Sequence, residues 1–293
     1  MAKKKQPPSN HRPNPSPSHP AQRPTPATLR EQILDSFRTL KIPVTDQQWD
    51  EVLARAEREG LSHLEFVHAL ISDQAAQRRQ RSIERRIQEA HFRDSGTLEN
   101  FDWTFNAATI DRAWFEELAT GEFVRRGDNL VKVGQSGLGK SHLIQGVGRR
   151  LCMLGYRVRY TTSAALVQEL AKSRADDTLP RRLRYYGGVD LLIIDEFGFE
   201  KLERMDCPLA ANLLYKVIEV RYPRRSTALV TNVDFETWND YLGDPPLAMA
   251  FLDRLVDGAL LLKLEGKSYR APRARRLDAK KDADSTLPSP GTE

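Results

Sequence analysis

Eight consecutive residues have the types and spacing of a loop that binds phosphate groups. The run Gly134-Gln135-Ser136-Gly137-Leu138-Gly139-Lys140-Ser141 follows the pattern G-x-x-x-x-G-K-[ST], between a predicted strand and a predicted helix. Glycines let backbone N–H groups converge on phosphate oxygens, and the following helix adds the partial positive charge of its N-terminus. We expect Lys140 to reach the β and γ phosphates and Ser141 to bind Mg²⁺, with His142 as a further contact. The flanking strand and helix argue against the alternative, a chance glycine turn.

A pair of acids offers the groups that such a loop needs for hydrolysis. Residues 191–194 form an apolar run, typical of a buried strand, which ends in Asp195 and Glu196. We expect Asp195 to orient Mg²⁺ through water, and Glu196 to be the general base that polarises the attacking water. A second acid directly after the first favours hydrolysis over phosphoryl transfer to a metabolite, and no N-K-x-D motif for guanine is present. The pair therefore predicts a Mg²⁺-dependent ATPase, against the alternative of a strand capped by acids.

Two more polar residues have positions that suit a nucleotide site. Asn232 ends a predicted strand beside the acidic one, where it can hydrogen-bond the γ-phosphate or the lytic water. The alternative is a turn former, since asparagine is common after strands. Arg254 lies on an apolar helical stretch and, taken alone, is typical of a surface salt bridge. In an oligomeric ATPase it is the candidate finger that reaches the γ-phosphate of a neighbouring subunit.

The composition indicates a water-soluble protein with an uneven charge distribution. The 293 residues, 40% of them apolar, suffice for one α/β core and a smaller domain. Residues 1–30 hold six of the basic residues and no acid, which leaves 39 basic residues against 40 acidic ones. We expect a cytoplasmic protein without a membrane partner, because no apolar run suits a membrane span or a secretory signal. Cys152 and Cys207 are too few for a disulfide framework.

Four segments are predicted along the chain. They are a disordered basic, Pro-rich tail (1–27), a small helical domain (28–92), an α/β domain (93–270) and a second disordered tail (271–293). Two readings of the first tail stay open, a nucleic-acid tether or partner-docking arm and a solubilising segment.

Capping signals and an arginine stripe mark the helical domain. Thr45 with Gln48, and Ser62 with Glu65, have the spacing of capping boxes at helix N-termini. The last helix carries basic residues on one face, among them Arg78. Such a stripe is usually solvated, but its excess of arginine over acid favours phosphate contact somewhat.

The α/β domain alternates apolar runs with helical segments, which is typical of a parallel sheet with right-handed crossovers. The strand candidates are 129–133, 157–161, 189–196, 227–232 and 259–266. The predicted fold class is therefore α/β, with a five-stranded nucleotide-binding core after a small all-α domain.

Aromatic residues are dense in the connector, residues 93–128, which precedes the first predicted strand. Phe101, Trp103 and Phe105 can each cover a nucleotide base or dock the connector on the core. We favour docking for each of them, because buried aromatic side chains most often serve packing.

Taken in order, these features resemble the transposition helper ATPases of the IstB family, relatives of the DnaC helicase loaders in the AAA+ class. The matching stretches are LENFDWTF, RRGDNLVKVGQSGLGKSHL, GYRVRYTTSAALVQEL, DLLIIDEFGF, RRSTALVTN, LGDPPLAMAFLDRL and GKSYR. The resemblance implies a P-loop AAA+ core and a cytoplasmic ATPase that oligomerises on double-stranded DNA with ATP. It further implies cooperation with a partner transposase of the IstA type, in selecting and activating the target site.

The resemblance also implies roles for single residues. This chain departs from the family pattern at Gln135 and Ser136, where two prolines are common, and at Lys132 in the preceding strand. Neither change removes a phosphate donor. The implied roles are Walker A for Lys140 and Ser141, Walker B for Asp195 and Glu196, sensor 1 for Asn232 and arginine finger for Arg254.

Basic residues between the second and third strands are candidates for DNA contact. Subunits assembled around a duplex need basic groups that contact phosphates independently of base sequence. We expect residues 171–188 to be one long, polar loop that presents such groups. The candidates are Lys172, Arg174, Arg181, Arg182 and Arg184, with Lys201 and Arg204 after the acidic pair.

Two alternatives to a transposition helper remain. A replicative helicase loader of the same fold would prefer single-stranded DNA and a helicase partner, but the sequence has no recognisable helicase-docking motif. A protein-binding module that uses nucleotide only structurally is disfavoured, because it would not need both Asp195 and Glu196.

Overall fold

The computed structural model describes residues 25–198, 209–234, 237–266, 268 and 269. Most of the two predicted tails, and the DNA-contact candidates Lys201 and Arg204, lie outside these residues. The chain packs as two compact units, one ending at Arg78 and the other starting at Arg79. This limit falls within a helix, and the four segment limits derived from the sequence stay predictions.

The first unit is helical, as the sequence predicts. It contains α1 (Pro26–Thr39), α2 (Asp46–Glu59) and the start of α3 (His63–Ala90). The capping box is confirmed, since the Gln48 N–H donates to Thr45 Oγ1 and the Thr45 N–H donates to Gln48 Oε1. The buried Trp49 packs between Phe37 and Phe66, with ring centres 6.4 and 6.3 Å away. These rings form the core on which the three helices close.

The second unit alternates strands and helices around one sheet. Its elements after α3 are α4 (Arg112–Leu118), α5 (Glu122–Arg126), β1 (Leu130–Gly134), α6 (Lys140–Leu154), β2 (Val158–Thr162), α7 (Ser163–Ala175), α8 (Leu179–Gly188), β3 (Leu191–Phe197), α9 (Ala210–Arg221), β4 (Ser226–Thr231), α10 (Trp238–Leu242), α11 (Pro245–Val256) and β5 (Leu260–Leu264). Each predicted strand is confirmed, and each of its ends lies within two residues of the predicted position.

The five strands form one parallel sheet in the order β2-β3-β4-β1-β5. In its centre, Val131 of β1 pairs with Leu229 of β4 and Leu261 of β5. Because all strands are parallel, their carboxyl ends share one edge, which is where open α/β sheets bind ligands. The predicted α/β class with a five-stranded parallel core is confirmed.

Apolar side chains of the sheet alternate between two cores, since successive strand residues point to opposite faces. Val131 and Leu229 belong to the core that α7, α9 and α11 cover. Leu130 and Ile193 belong to the other core, which includes Leu143 of α6. The sheet therefore holds the glycine-rich loop, residues 134–141, at its carboxyl edge between two packed layers.

The prediction that residues 171–188 form one long loop is wrong. The segment forms the last turn of α7 and the whole of α8, whose first turn contains Pro180. Proline is favoured at that position because a first-turn N–H has no helical partner. Leu179, Leu183 and Tyr186 recur at helical spacing and pack on the core. This apolar face, rather than the polar residues between its members, determines the structure of the segment.

Alanine at Gly146 is expected to lower the free energy of unfolding by about 1–3 kcal/mol. Gly146 lies within α6, and an added Cβ would come within 2.9 Å of the backbone nitrogen of Leu98. The matched control is Gly188→Ala at the end of α8, where an added Cβ meets nothing within 4 Å. Thermal unfolding of both variants checks this, and equal midpoints would contradict it.

Candidate nucleotide-binding site

A cavity of about 450 Å³ opens at the carboxyl edge of the sheet. That volume lies within the range of pockets that hold small molecules and cofactors. Its walls come from the connector, the glycine-rich loop, the acidic pair, the end of β4 and Tyr269. The lining residues are Asp94, Asn100, Phe101, Asp102, Phe105, Ser136, Gly137, Leu138, Gly139, Lys140, Ser141, His142, Asp195, Glu196, Val230, Thr231, Asn232 and Tyr269.

The glycine-rich loop has a backbone that only glycine adopts easily. Gly137 and Gly139 have φ angles of +86° and +78°, and an added Cβ at Gly137 would overlap Ser268 Oγ. The loop ends where α6 begins at Lys140, so the N-terminus of that helix faces the cavity. The Lys140 amine donates to the carbonyl oxygens of Gly134 and Gln135, the latter at 2.7 Å. This arrangement provides the N–H groups and the cation that a polyphosphate requires.

The two acids have different surroundings. Asp195 is 2% exposed, and the Tyr160 hydroxyl donates to its Oδ2 at 2.8 Å. Burial, with Asp195 as the second cause, raises the pKa of Tyr160, which therefore stays a donor. Glu196 has φ +57° at a point where the pairing of β3 with β4 shifts register. That φ is rare outside glycine and marks a strained backbone in the wall of the cavity.

The residues present fit a Mg²⁺ ion bound together with a phosphate chain. Ser141 and Asp195 both line the cavity, and they supply a hydroxyl and a carboxylate oxygen. Mg²⁺ is usually held by one or two carboxylates, water and substrate phosphates rather than by a full protein cage. Among the described residues, no group of three or more histidine, cysteine, aspartate or glutamate side chains is placed to hold a metal ion.

Asn232, predicted to contact the γ-phosphate or the lytic water, and Arg254, predicted to reach a neighbouring subunit, lie in different places. Asn232 follows β4 and lines the cavity with both acids, next to Thr231, whose hydroxyl donates to the carbonyl of Phe197 at 2.7 Å. Arg254 lies on α11, where its backbone carbonyl accepts from Asn129, the residue before β1. It is therefore at the amino ends of the strands, away from the cavity of its own chain.

The connector aromatics divide between the cavity and the core. Phe101 and Phe105 line the cavity, whereas Trp103 packs 6.1 Å from Phe115 and its indole N–H donates to the carbonyl of Leu98. Tyr269 closes the same wall, with its ring 4.9 Å from Phe105. Nothing in the local pattern around Tyr269 predicts that it lies beside the glycine-rich loop.

Side chains of α6 hold the connector in place. His142, predicted as a nucleotide contact, lines the cavity and also hydrogen-bonds the carbonyl of Thr97 through Nε2 at 2.8 Å. Arg149 donates to the carbonyl of Gly96 at 3.1 Å, and its guanidinium lies 4.7 Å from the centre of the Phe92 ring. The connector is thereby part of the site rather than a free linker.

A lysine is buried beneath the glycine-rich loop. Lys132 of β1 is fully buried, with Nζ 3.4 Å from the carbonyl of Lys140 and 4.4 Å from the centre of the Phe115 ring. Burial, and then the charge of Lys140, lower the pKa of Lys132 well below its ordinary value, against the opposing effect of Asp195.

The described candidates for DNA contact lie on two helices. Lys172 and Arg174 are on the last turn of α7, and the others are on α8. Arg182 forms an ion pair with Glu169 at 2.9 Å and is partly buried, so it is the least available of the set. The exposed members are Lys172, Arg174, Arg181 and Arg184. Among the described residues, no helix has the length and apolarity that a membrane span requires.

Sequence comparison identifies similar proteins along most of the chain. The family model described as IstB-like ATP binding protein matches residues 36–277. The ATP-binding protein of insertion sequence IS5376 from Geobacillus stearothermophilus is 31% identical over 87% of this chain and 100% of the relative. That of insertion sequence IS21 from Pseudomonas aeruginosa is 32% identical over 81% of this chain and 88% of the relative.

Comparison with solved structures gives more distant similarities. AMPPCP-bound DnaA from Aquifex aeolicus has a TM-score of 0.49 and 19% identity, over 65% of this chain and 56% of that one. The DnaC helicase loader has a TM-score of 0.48 and 18% identity, over 58% of this chain and 97% of that one.

Proposed function

Because this chain belongs to the family of IstB-like ATP-binding proteins, we propose that it is an ATP-dependent, DNA-binding AAA+ regulator of transposition. It assembles on double-stranded DNA with ATP, and it recruits and activates a partner transposase for target-site selection and insertion. ATP bound between subunits fixes the assembly, and hydrolysis releases it. The observation that carries the proposal is the meeting of the glycine-rich loop, Asp195, Glu196 and Asn232 in one cavity. We also propose a cytoplasmic location, where such DNA and its transposase are found.

The residues of the cavity have distinct roles in the proposed hydrolysis. The loop N–H groups and Lys140 hold the β and γ phosphates, and Ser141 and Asp195 hold Mg²⁺. Mg²⁺, when bound, neutralises charge that develops on the phosphate oxygens. Glu196 accepts a proton from the attacking water, while Asn232 orients that water or the γ-phosphate.

The role proposed for Arg254 requires an oligomer, because this side chain lies outside the cavity of its own chain. Its guanidinium lies 4.9 Å from the centre of the Tyr215 ring and 3.9 Å from Glu219, and it does not line the cavity. In the proposed assembly, Arg254 leaves the contact with Glu219 and acts on the nucleotide of a neighbouring subunit.

The exposed basic side chains on α7 and α8 suit a DNA surface that does not read sequence. Lys172, Arg174, Arg181 and Arg184 can each approach a phosphate, because none of them is buried in the described structure. Two short helices hold them in place more firmly than a loop would. We propose that these residues contact the DNA backbone, as Lys201 and Arg204 would from outside the described residues.

Particle mass and shape test the proposal directly. Mass photometry and negative-stain imaging are carried out with a duplex of a few dozen base pairs or the matched single strand, each with ATP, ADP or no nucleotide. Large particles are expected only with duplex and ATP, and a purified transposase of the IstA type is expected to enlarge them further.

Two variants make this experiment specific to the nucleotide site. Lys140→Ala is expected to abolish the particles, whereas Lys263→Ala, an exposed lysine on β5 outside the cavity, is expected to preserve them. A monomer indifferent to DNA and nucleotide would contradict the proposal. Assembly on single strands instead of duplex would support the helicase-loader alternative.

A further inference from the structure

The carboxylate of Glu196 is held by a side chain that belongs to neither nucleotide motif. Arg93 donates from Nη1 to Glu196 Oε1 at 2.6 Å, although 103 positions separate them in the chain. A bond between a guanidinium and a carboxylate is charge-assisted and stronger than a neutral hydrogen bond. The second acid of the pair is therefore tied to the start of the connector.

Arg93 has a fixed position relative to the glycine-rich loop. Gln145 of α6 is fully buried, and its Oε1 accepts from the backbone N–H groups of Arg93 and Asp94 at 2.8 and 3.3 Å. Its Nε2 donates to the carbonyl of Ser141 at 3.1 Å, within the first turn of the same helix. The backbone that carries the arginine thus rests on the helix that begins at the phosphate-binding loop.

The ion pair opposes the chemistry proposed for Glu196. An oxygen that already accepts a charged hydrogen bond is a poorer acceptor for the proton of a water molecule. The side chains of Arg93 and Glu196 are 63% and 44% exposed, and exposed ion pairs are weak. The ion pair therefore favours one position of the Glu196 carboxylate, and breaking it costs little free energy.

We propose that Arg93 is a positioning residue that restrains Glu196, and that hydrolysis is fastest when this pair is open. The proposal rests on the function proposed above, in which Glu196 is the general base. With the pair open, the water oxygen attacks the γ-phosphorus and its proton passes to Glu196. The bond from the γ-phosphorus to the bridging oxygen breaks, and its electron pair leaves with ADP.

Steady-state ATP hydrolysis by the full chain tests the proposal. Arg93→Gln is expected to raise kcat by about 2–5-fold, the size of an exposed ion pair, with KM for ATP nearly unchanged. Arg93→Lys keeps the positive charge but lacks the planar guanidinium group. Its kcat is therefore expected to lie between those of the parent protein and Arg93→Gln. The matched control is Arg112→Gln, since Arg112 is 64% exposed and pairs with Glu116 outside the cavity.

A double variant shows whether the effect passes through Glu196. Adding Glu196→Gln is expected to remove the gain produced by Arg93→Gln. An unchanged or lower kcat in Arg93→Gln, with an active parent protein, would overturn this inference alone. If parent and variant both bind ATP and neither hydrolyses it, the proposed hydrolysis fails together with the inference.

Discussion

Glu196→Gln is expected to lower kcat for ATP hydrolysis by about 10²–10⁴-fold, the range attributed to a general base. Glutamine keeps the size and the hydrogen-bonding oxygen of the side chain but cannot take a proton from water. Glu196 lines the cavity beside Asp195, whereas the phosphates are held chiefly by the loop and Lys140. The affinity for ATP should therefore change little, and a fluorescent nucleotide together with a phosphate-release assay measures both quantities.

A surface glutamate provides the control for this prediction. Glu116 on α4 pairs with Arg112 and does not line the cavity, so Glu116→Gln is expected to keep full activity. Retention of most activity in Glu196→Gln would remove the base role from this residue. Loss of ATP binding together with activity would indicate that Glu196 supports the site structurally instead.

Lys132→Met is expected to raise the free energy of unfolding at neutral pH by about 1–3 kcal/mol, the cost of a poorly satisfied buried donor. Methionine has a similar size and shape and leaves no amine in the core of the sheet. For a unit of this size we expect the thermal midpoint to rise by roughly 2–4 °C per kcal/mol. The thermal midpoint is measured by differential scanning calorimetry, or by circular dichroism during thermal unfolding.

The same variant is expected to change how stability depends on pH. Folding lowers the pKa of Lys132, whereas in the unfolded chain it is near 10.4, so the unfolded chain binds more protons between the two values. The free energy of unfolding therefore rises with pH across that window in the parent protein, and Lys132→Met should lack this rise. Lys263→Met, at an exposed position on the neighbouring strand, should behave like the parent protein. Identical pH profiles for Lys132→Met and the parent protein would contradict the prediction.

The sheet and the main parts of the site could be predicted because their signals are local. Each strand is a short apolar run, and the glycine-rich loop and the acids directly follow two of them. Since parallel strands end at one edge, the meeting of the loop, Asp195 and Asn232 follows from the element order alone. The chemical roles of these residues stay predictions until the variants are measured.

The remaining features depend on contacts between distant parts of the chain. Nothing near Arg93 indicates that it would meet Glu196, and nothing near Tyr269 indicates that it would close the cavity. The prediction of a loop at residues 171–188 was wrong for a different reason. There, Pro180 and several charges dominated the local pattern, while the spacing of Leu183 and Tyr186 indicated a helix.

The strand order also bears on how the protein folds during synthesis. β4 lies between β1 and β3 in the sheet, yet it is made after both of them. The loop and the acidic pair therefore have no shared wall until β4 has left the ribosome and inserted between the two strands. Such non-local pairing slows folding and exposes unpaired strand edges for longer. A nascent chain that stops before β4 would thus carry both nucleotide motifs and still lack an assembled site.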